Sequence, residues 1–278
     1  MPISNKKIKS NSLKIGALLL LGGLLFWFSI PHHLFHVPYS TILTDTDDQL
    51  LGAHIAEDGQ WRFPPGDSIP QKFKTAILYF EDEHFYKHPG FNPISLFNAA
   101  KTNIQKRKTV RGGSTITMQV IRLSNPKRRT LLVKFWEIVK ACRLELTTSK
   151  DSILSLYSTH APFGGNTVGL EAAAWRYFNH PAHELTWAET ALLAVLPNAP
   201  GLIHPGRNPK ILKNKRDRLL NKLLEKEKID SSTWFLAISE ELPQKPIPLP
   251  QKATHLLDYF LKNEEGNHVK STLNRNIQ

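Results

Sequence analysis

The acidic segment Glu81-Asp82-Glu83-His84 is a place where side chains able to move a proton cluster in the sequence. Glu81 follows a run in which Phe73, Ile77 and Phe80 recur at helical spacing. A carboxylate at the edge of an apolar surface, with other carboxylates beside it, can have a raised pKa. That property suits a general base near neutral pH. Composition alone favours the plainer alternative, in which three acids form a solvated turn.

Two histidines in the same segment suggest a metal site, but the surrounding residues argue against it. His84 and His88 are four residues apart, a spacing that zinc ligands on one helix face often have. The pattern is not His-Glu-x-x-His, and Pro89 is expected to break the helix there. We therefore expect His88 to be packed and hydrogen-bonded, and we predict no protein metal site.

A second group lies at Arg111-Gly112-Gly113-Ser114-Thr115, where a cation, two flexible residues and two hydroxyls adjoin. Glycines let backbone N–H groups approach a phosphate closely, and hydroxyls add donors. The lysine and spacing of a Walker sequence are absent. Taken alone, the segment is a weak indicator of phosphate binding.

A third group follows the basic residues 127–129. Lys134 and Glu137 are three residues apart and share a flank of a predicted helix. An ordinary surface ion pair, of little energetic value, is the plain interpretation. Glu145 falls inside the apolar stripe of the same helix, and a buried acid needs a partner that the sequence does not name.

The elements that position these groups are predicted to be mainly helical between residues 71 and 230. Pro93 is expected to open one helix, and Asn208-Pro209 a long basic helix to about Lys228. Thr186 and Glu189 have the spacing of a capping box. A further helix is predicted to bury a single apolar stripe formed by Leu131, Phe135, Ile138, Val139, Cys142 and Leu146.

Composition narrows the classes of function. The chain has 278 residues, of which 41% are apolar, and a formal net charge of +12. That size allows one or two domains, and the charge suggests nucleic acid, an anionic membrane surface or a phosphorylated substrate. Cys142 is the single cysteine, so a disulfide within the chain is excluded.

The N-terminal residues predict a membrane anchor. Lysines at positions 6, 7, 9 and 14 precede the uncharged, apolar run from Ile15 to Ile30, which is about long enough to cross a bilayer. The positive flank favours a cytoplasmic N-terminus and places the remaining chain outside, which argues against nucleic acid. A cleavable signal peptide is the alternative, but no small-x-small site closes the run. His32, His33 and His36 are expected to be interfacial rather than metal ligands.

We therefore divide the chain into five segments. They are a cytoplasmic tail (1–12), a transmembrane anchor (13–30), a membrane-proximal linker (31–70), the main domain (71–230) and a C-terminal linker (231–278).

Taken in order, the motifs resemble the glycosyltransferase module of bifunctional penicillin-binding proteins, glycosyltransferase family 51. The family's Glu-Asp-x-x-Phe-x-x-His-x-Gly stands as Glu81 to Gly90 with every fixed position kept. Its later motifs match Gly112–Gln119, Val133–Glu137, Lys150–Thr159 and Leu196–Pro200. The segment Ala161–Asn166 is most similar to the penicillin-binding protein 1C branch.

The resemblance implies a mainly α, lysozyme-like, two-lobed glycosyltransferase domain behind a single transmembrane helix, facing outward from the bacterial inner membrane. It implies polymerisation of lipid II with inversion, Glu81 acting as base. Glu137 would assist the departing diphosphate, directly or through a divalent ion such as Mg or Mn. Substrate-binding positions would be Asp82, Phe85, His88, Gly112, Gly113, Ser114, Thr115, Gln119, Arg129, Lys134 and Lys150. Partners would be lipid II, the growing glycan strand, the membrane and other cell-wall synthesis proteins.

Departures from the family pattern keep alternatives open. Met118 replaces a glutamine, Val133 an arginine, and Ser158-Thr159 a Leu-Asn pair. The chain stops at Gln278 near the expected entry to a transpeptidase domain and contains no Lys-Thr-Gly, so we expect no penicillin-binding activity. A lytic enzyme of lysozyme-like fold and an inactive anchored scaffold are the competing hypotheses.

Overall fold

The computed structural model describes residues 5–66, 68–106, 112–198, 200–201, 203–263 and 267–274, apart from the side chains of residues 5–13, 100 and 103. This part of the chain is mainly helical. Its helices are α1 (Asn5–Trp27), α2 (Gln71–Glu81), α3 (Pro93–Gln105), α4 (Ile116–Ser124), α5 (Leu131–Glu145), α6 (Lys150–His160), α7 (Leu170–Phe178), α8 (Trp187–Val195), α9 (Pro209–Glu225), α10 (Ser231–Ser239) and α11 (Thr254–Lys262). Its strands are β1 (Thr41–Thr44), β2 (Leu50–His54), β3 (Trp61–Arg62), β4 (Pro162–Gly164), β5 (Thr167–Val168) and β6 (His268–Lys270). Short 3₁₀ helices lie at Phe85–Lys87, Ala182–Glu184 and Leu196–Asn198.

The described residues form two compact units. The first unit combines the chain up to His36 with His88–Ser149, and it holds α1, α3, α4 and α5. The second combines Val37–Lys87 with the chain from Lys150 onward, and it holds the remaining described elements. The segment from Glu81 to Gly90 is thus divided, with its acidic residues in the second unit and His88 in the first.

Helix α8 is the buried centre of the second unit. Its residues from Ala191 onward are buried continuously, and the helix packs against α2 and α9. The capping box is confirmed, because Thr186 N–H donates to Glu189 Oε2 at 2.8 Å and Glu189 N–H donates to Thr186 Oγ1 at 3.1 Å. A helix that is apolar on all sides is stable only when neighbours cover it. Helix α2, which ends at Glu81, is held against this centre.

Two other predicted helix starts are also confirmed. Pro93 is the first residue of α3, and Asn92 Oδ1 accepts the Ser95 N–H at 3.0 Å. Pro209 begins α9, which ends at Glu225, three residues before the predicted end. Both starts follow from local chemistry, since proline lacks the N–H that a first helical turn leaves unused.

The described strands form two small sheets, and β1, β2, β3 and β6 lie in regions that we expected to be linkers. Strand β1 pairs antiparallel with β2 and parallel with β6, with Leu43 opposite Val269. Strand β3 pairs parallel with β5, which is antiparallel to β4. A cluster of buried apolar residues joins the strands to α7, comprising Ile42, Leu50, Phe63, Ala172, Trp175 and Leu249. Parts of 31–70 and of 231–278 are therefore packed against the domain.

The predicted burial of the α5 stripe is wrong. Leu131, Phe135 and Leu146 are 92%, 56% and 67% exposed, and Cys142 is only partly buried. The helix instead packs on α4 through a face containing Glu137, Ala141 and Leu144. Helical spacing identifies an apolar face, but it does not identify what covers that face.

Helix α1 carries much of the predicted anchor. Within the described residues, no helix combines the length and hydropathy expected of a membrane-spanning segment. Several apolar side chains in the described part of α1 are exposed, including Leu18, Leu19 and Leu25. Near its end, Arg143 of α5 donates from Nε to the Trp27 carbonyl at 3.0 Å and stacks over the indole ring at 4.0 Å.

Candidate active-site residues

Glu81 is the last residue of α2, and the buried face of that helix fixes where it lies. Phe73, Ala76 and Ile77 are buried, in line with the predicted apolar face. Glu81 itself is half-buried, with its Oε1 atom shielded from solvent. The carbonyl dipoles at a helix C-terminus disfavour a charged carboxylate, whereas a nearby cation favours it.

Lys215 of α9 supplies such a cation. Burial lowers the pKa of Lys215, and the charge of Glu81 acts in the opposite direction. Its Nζ donates to Asn198 Oδ1 at 2.8 Å. Asn198 belongs to the Leu196–Pro200 motif, so Lys215 bonds to this motif while its pKa responds to the charge of Glu81.

The residues after Glu81 form a tight turn in which Asp82 and Phe85 are buried, whereas Glu83 and His84 are exposed. Asp82 is buried, its N–H donates to the Leu78 carbonyl at 2.9 Å, and its own carbonyl accepts the Phe85 N–H at 3.0 Å. Phe85 is fully buried, and the Lys150 ammonium lies 4.4 Å from its ring centre. Two predicted binding residues, Phe85 and Lys150, are thus in contact. The backbone of Asp82 forms the hydrogen bonds of the turn beside Glu81.

In the first unit, the glycine-hydroxyl segment forms the start of α4. Thr115 is the N-cap residue, accepting the Met118 N–H at 3.2 Å, and its hydroxyl donates to the Gly90 carbonyl at 2.6 Å. Gly113 lies against α3, where a Cβ atom would be 2.9 Å from Leu96 Cα. These contacts join the second motif to the end of the first. Arg111 lies outside the described residues.

Lys134 connects this segment to Glu137. Its Nζ donates to Ser114 Oγ at 2.5 Å and to Glu137 Oε2 at 3.4 Å. Glu137 is buried, so the pair is not the exposed ion pair of the plain interpretation. Burial is the first cause of the lowered pKa of Lys134, and Arg122 and Arg129 lower it further. Gln119 is also buried on α4, whereas Arg129 and Gly112 are exposed.

A cavity of about 240 Å³ opens beside Glu137. It is lined by Ile121, Arg122, Asn125, Lys127, Val133, Trp136, Glu137 and Lys140. Its wall therefore combines three cations with apolar surface, and Val133 occupies the position where the family pattern has an arginine. The arrangement suits an anionic group that is attached to an apolar one.

The unexplained acid of α5 also has a partner. Thr117 Oγ1 donates to Glu145 Oε1 at 2.6 Å. Met118, which follows Thr117 on α4, is fully buried. The methionine that stands in place of the family's glutamine is thus a core residue in this chain.

The donor set around Glu137 does not fit a divalent cation. Such ions prefer several oxygen ligands, often from more than one carboxylate. Glu137 is bonded by Lys134, and the cavity beside it presents lysine and arginine side chains. Across the described ranges, no group of three His, Cys, Asp or Glu side chains is suited to hold a metal ion.

Comparison with known proteins decides the family. A family model described as Transglycosylase matches residues 48–224. The chain belongs to the transglycosylase family. The matched range contains Glu81, Glu137 and the basic cavity, and the predicted resemblance is confirmed. The range begins at residue 48, inside the segment 31–70.

Two relatives of this transglycosylase carry penicillin-binding protein names. It is 33% identical over 254 residues to penicillin-binding protein 1C of Escherichia coli K12, covering 89% of this chain and 32% of that protein. It is 34% identical over 197 residues to penicillin-binding protein 1A of Aquifex aeolicus, covering 70% of this chain and 26% of that one. The chain thus spans about a third or less of these relatives. A crystal structure of penicillin-binding protein 1A from Haemophilus influenzae aligns with a TM-score of 0.43 at 19% identity, over 87% of this chain and 28% of that one.

Proposed function

We propose that this transglycosylase is an inverting peptidoglycan glycosyltransferase that polymerises lipid II and releases undecaprenyl diphosphate. The observation that carries the proposal is the family match over residues 48–224, which includes both motif carboxylates. The lysozyme-like, two-lobed fold is part of the proposal, and its support is the division of the described chain into two compact units.

Glu81 is the proposed general base. Its carboxylate accepts the proton of the acceptor GlcNAc 4-hydroxyl while that oxygen bonds to the anomeric carbon of the donor MurNAc. The bond from that carbon to the diphosphate oxygen breaks, and the leaving group takes the electron pair. Attack from the opposite face converts the α-linked diphosphate into a β-1,4 linkage. Lys215 supports this role, because a neighbouring cation favours the ionised carboxylate that a base needs.

The first unit is the proposed site for the diphosphate. A leaving diphosphate needs its charge stabilised more than it needs a proton. Lys134, held by Ser114, supplies one ammonium, and Arg122, Lys127 and Lys140 surround the adjoining cavity. Glu137 holds Lys134 in place through the contact at 3.4 Å. In this proposal the cavity cations compensate for the arginine that Val133 replaces.

We also place the protein in the bacterial inner membrane, with a single N-terminal anchor and its domain outside. The uncharged run from Ile15 to Ile30 behind lysines supports the anchor. The exposed apolar stripe of α5 supports a second contact with lipid, since Leu131 and Phe135 would otherwise face water. Replacing Leu131 and Phe135 with serine should lower binding of the chain without residues 1–30 to anionic lipid vesicles. Unchanged binding would remove the second contact.

The deciding experiment is polymerisation of fluorescent lipid II by the full chain in detergent. We expect glycan polymer from wild type and a loss of about 10²- to 10⁴-fold with Glu81→Gln, which is the typical contribution of a general base. Glu57→Gln, which changes an exposed acid outside the five motifs, is the matched control and should retain activity. Cleavage of finished glycan without polymer would indicate the lytic enzyme. Equal, negligible activity of wild type and Glu81→Gln would indicate the scaffold.

A further inference from the structure

Helix α9 directs a row of lysines at the segment that carries Glu81. Lys215 and Lys222 are seven residues apart, which puts them on one face of α9, and Lys226 follows four residues later, directly after the helix ends. The sequence predicted only that this helix is long and basic. In the structure Lys215 and Lys222 have partners within the second unit, whereas Lys213 pairs with Asp217 on α9 itself at 2.6 Å.

Lys222 contacts the chain on both sides of Glu81. Its Nζ donates to the Tyr79 carbonyl at 2.7 Å and lies 2.8 Å from Glu83 Oε2. The last carbonyls of a helix lack partners within the helix, and Lys222 satisfies one of these on α2. Lys226 Nζ lies 3.3 Å from Glu83 Oε1, so each oxygen of that carboxylate faces its own lysine. The hydrogen bond from Lys222 is the first cause of the lowered pKa of Glu83.

We propose that Lys222 is a positioning residue for Glu81. It binds the backbone two residues before the base and the side chain two residues after it, and so fixes where the end of α2 turns. This inference rests on the proposed function, because it concerns the proton acceptor of that reaction. Glu83 takes part through its ion pair with Lys222, and Lys226 holds the other oxygen of the Glu83 carboxylate.

Because these contacts lie at a partly exposed position, their loss should affect the reaction rate much more than the stability of the fold. The side chains of Lys222 and Glu83 are 37% and 29% exposed, so their ion pair contributes little to folding. Proton transfer depends far more strongly on geometry, and a misplacement of about 1 Å can lower a rate about 10²-fold. Loss of the clamp that Lys222 forms with the Tyr79 carbonyl and Glu83 should therefore reduce catalysis while the protein stays folded.

The test compares kcat, KM and thermal unfolding for full-chain variants on fluorescent lipid II in detergent. Lys222→Met should lower kcat about 10- to 100-fold with KM within about threefold of wild type, as expected for a misplaced base. Lys222→Arg should keep kcat within about threefold of wild type, since a guanidinium has donors for both the Tyr79 carbonyl oxygen and Glu83 Oε2. Lys213→Met, on the same helix, is the matched control and should leave kcat unchanged.

Glu83→Gln keeps the bond to the Tyr79 carbonyl and removes the ion pair, so it keeps the inference testable should Lys222→Met not fold. We expect about a three- to tenfold loss of kcat from it, smaller than from Lys222→Met because one half of the clamp persists. Polymer from wild type together with kcat within twofold for both Lys222→Met and Glu83→Gln would overturn the inference and leave the proposed function standing. No polymer from wild type would overturn both.

Discussion

Gly90 allows a quantitative test of why the first motif ends in glycine. Its φ is +94°, a region that favours glycine, and a Cβ atom there would lie 2.7 Å from the carbonyl carbon and oxygen of Ala141. Both obstacles are backbone, so no side-chain rotation relieves them. Gly90→Ala therefore combines conformational strain with overpacking against α5.

The expected loss of stability follows from adding the two effects. A non-glycine residue with positive φ costs about 1–2 kcal/mol, and an overpacked contact costs a further ~1–3 kcal/mol. Gly90→Ala should therefore lower the free energy of unfolding by about 2–5 kcal/mol. For a chain of this size each 1 kcal/mol lowers Tm by roughly 2–4 °C.

Gly59 is the matched control, because its φ is +73° and a Cβ atom there would have no neighbour within 4 Å. Gly59→Ala should show the conformational cost alone, about 1–2 kcal/mol. The measurement is urea unfolding followed by circular dichroism for wild type and both variants. Equal losses for Gly90→Ala and Gly59→Ala would refute the reasoning, because they would mean that Ala141 presents no obstacle.

Two further outcomes depend on single side chains. The pKa of His160 is lowered from 6.5 to about 4, first by burial and then by Arg62. Between these values the unfolded chain binds a proton that the folded chain does not, so stability should fall by about 2 kcal/mol from pH 7 to pH 5. His160→Gln should remove that part of the urea-unfolding difference, and an unchanged difference would contradict the assignment. Thr117→Val should lower stability by about 1–2 kcal/mol through loss of the hydrogen bond to Glu145, and a change below about 0.5 kcal/mol would show that this bond contributes little.

Features set by neighbouring residues could be predicted from the sequence. The capping box at Thr186 and the helix starts at Pro93 and Pro209 depend on chemistry within one turn, and all three are confirmed. The family could also be predicted, because several motifs in a fixed order are far more specific than any one of them. The roles of Glu81 and Glu137 remain predictions that the polymerisation assay tests.

Features set by distant residues could not be predicted. The apolar stripe of α5 gave no indication that it faces outward, because a helical period is the same for a core and for an exposed face. The partners of Glu145 and Glu83 lie 28 and about 140 residues away, on α4 and α9. Lysines at 215, 222 and 226 showed a periodic pattern, but the pattern alone also suits a solvated helix.

The parallel pairing of β1 with β6 has a consequence for synthesis of the chain. Strand β1 is the middle strand of its sheet, and the contact between Thr44 and His268 spans 224 residues. At about 5–20 residues per second, β6 is made roughly 10–45 s after β1. During that interval one edge of β1 has no strand beside it, and bare edges recruit other strands. The sheet that contains β1 is thus complete only once β6 is made, and nascent chains are most exposed to mispairing before residue 268.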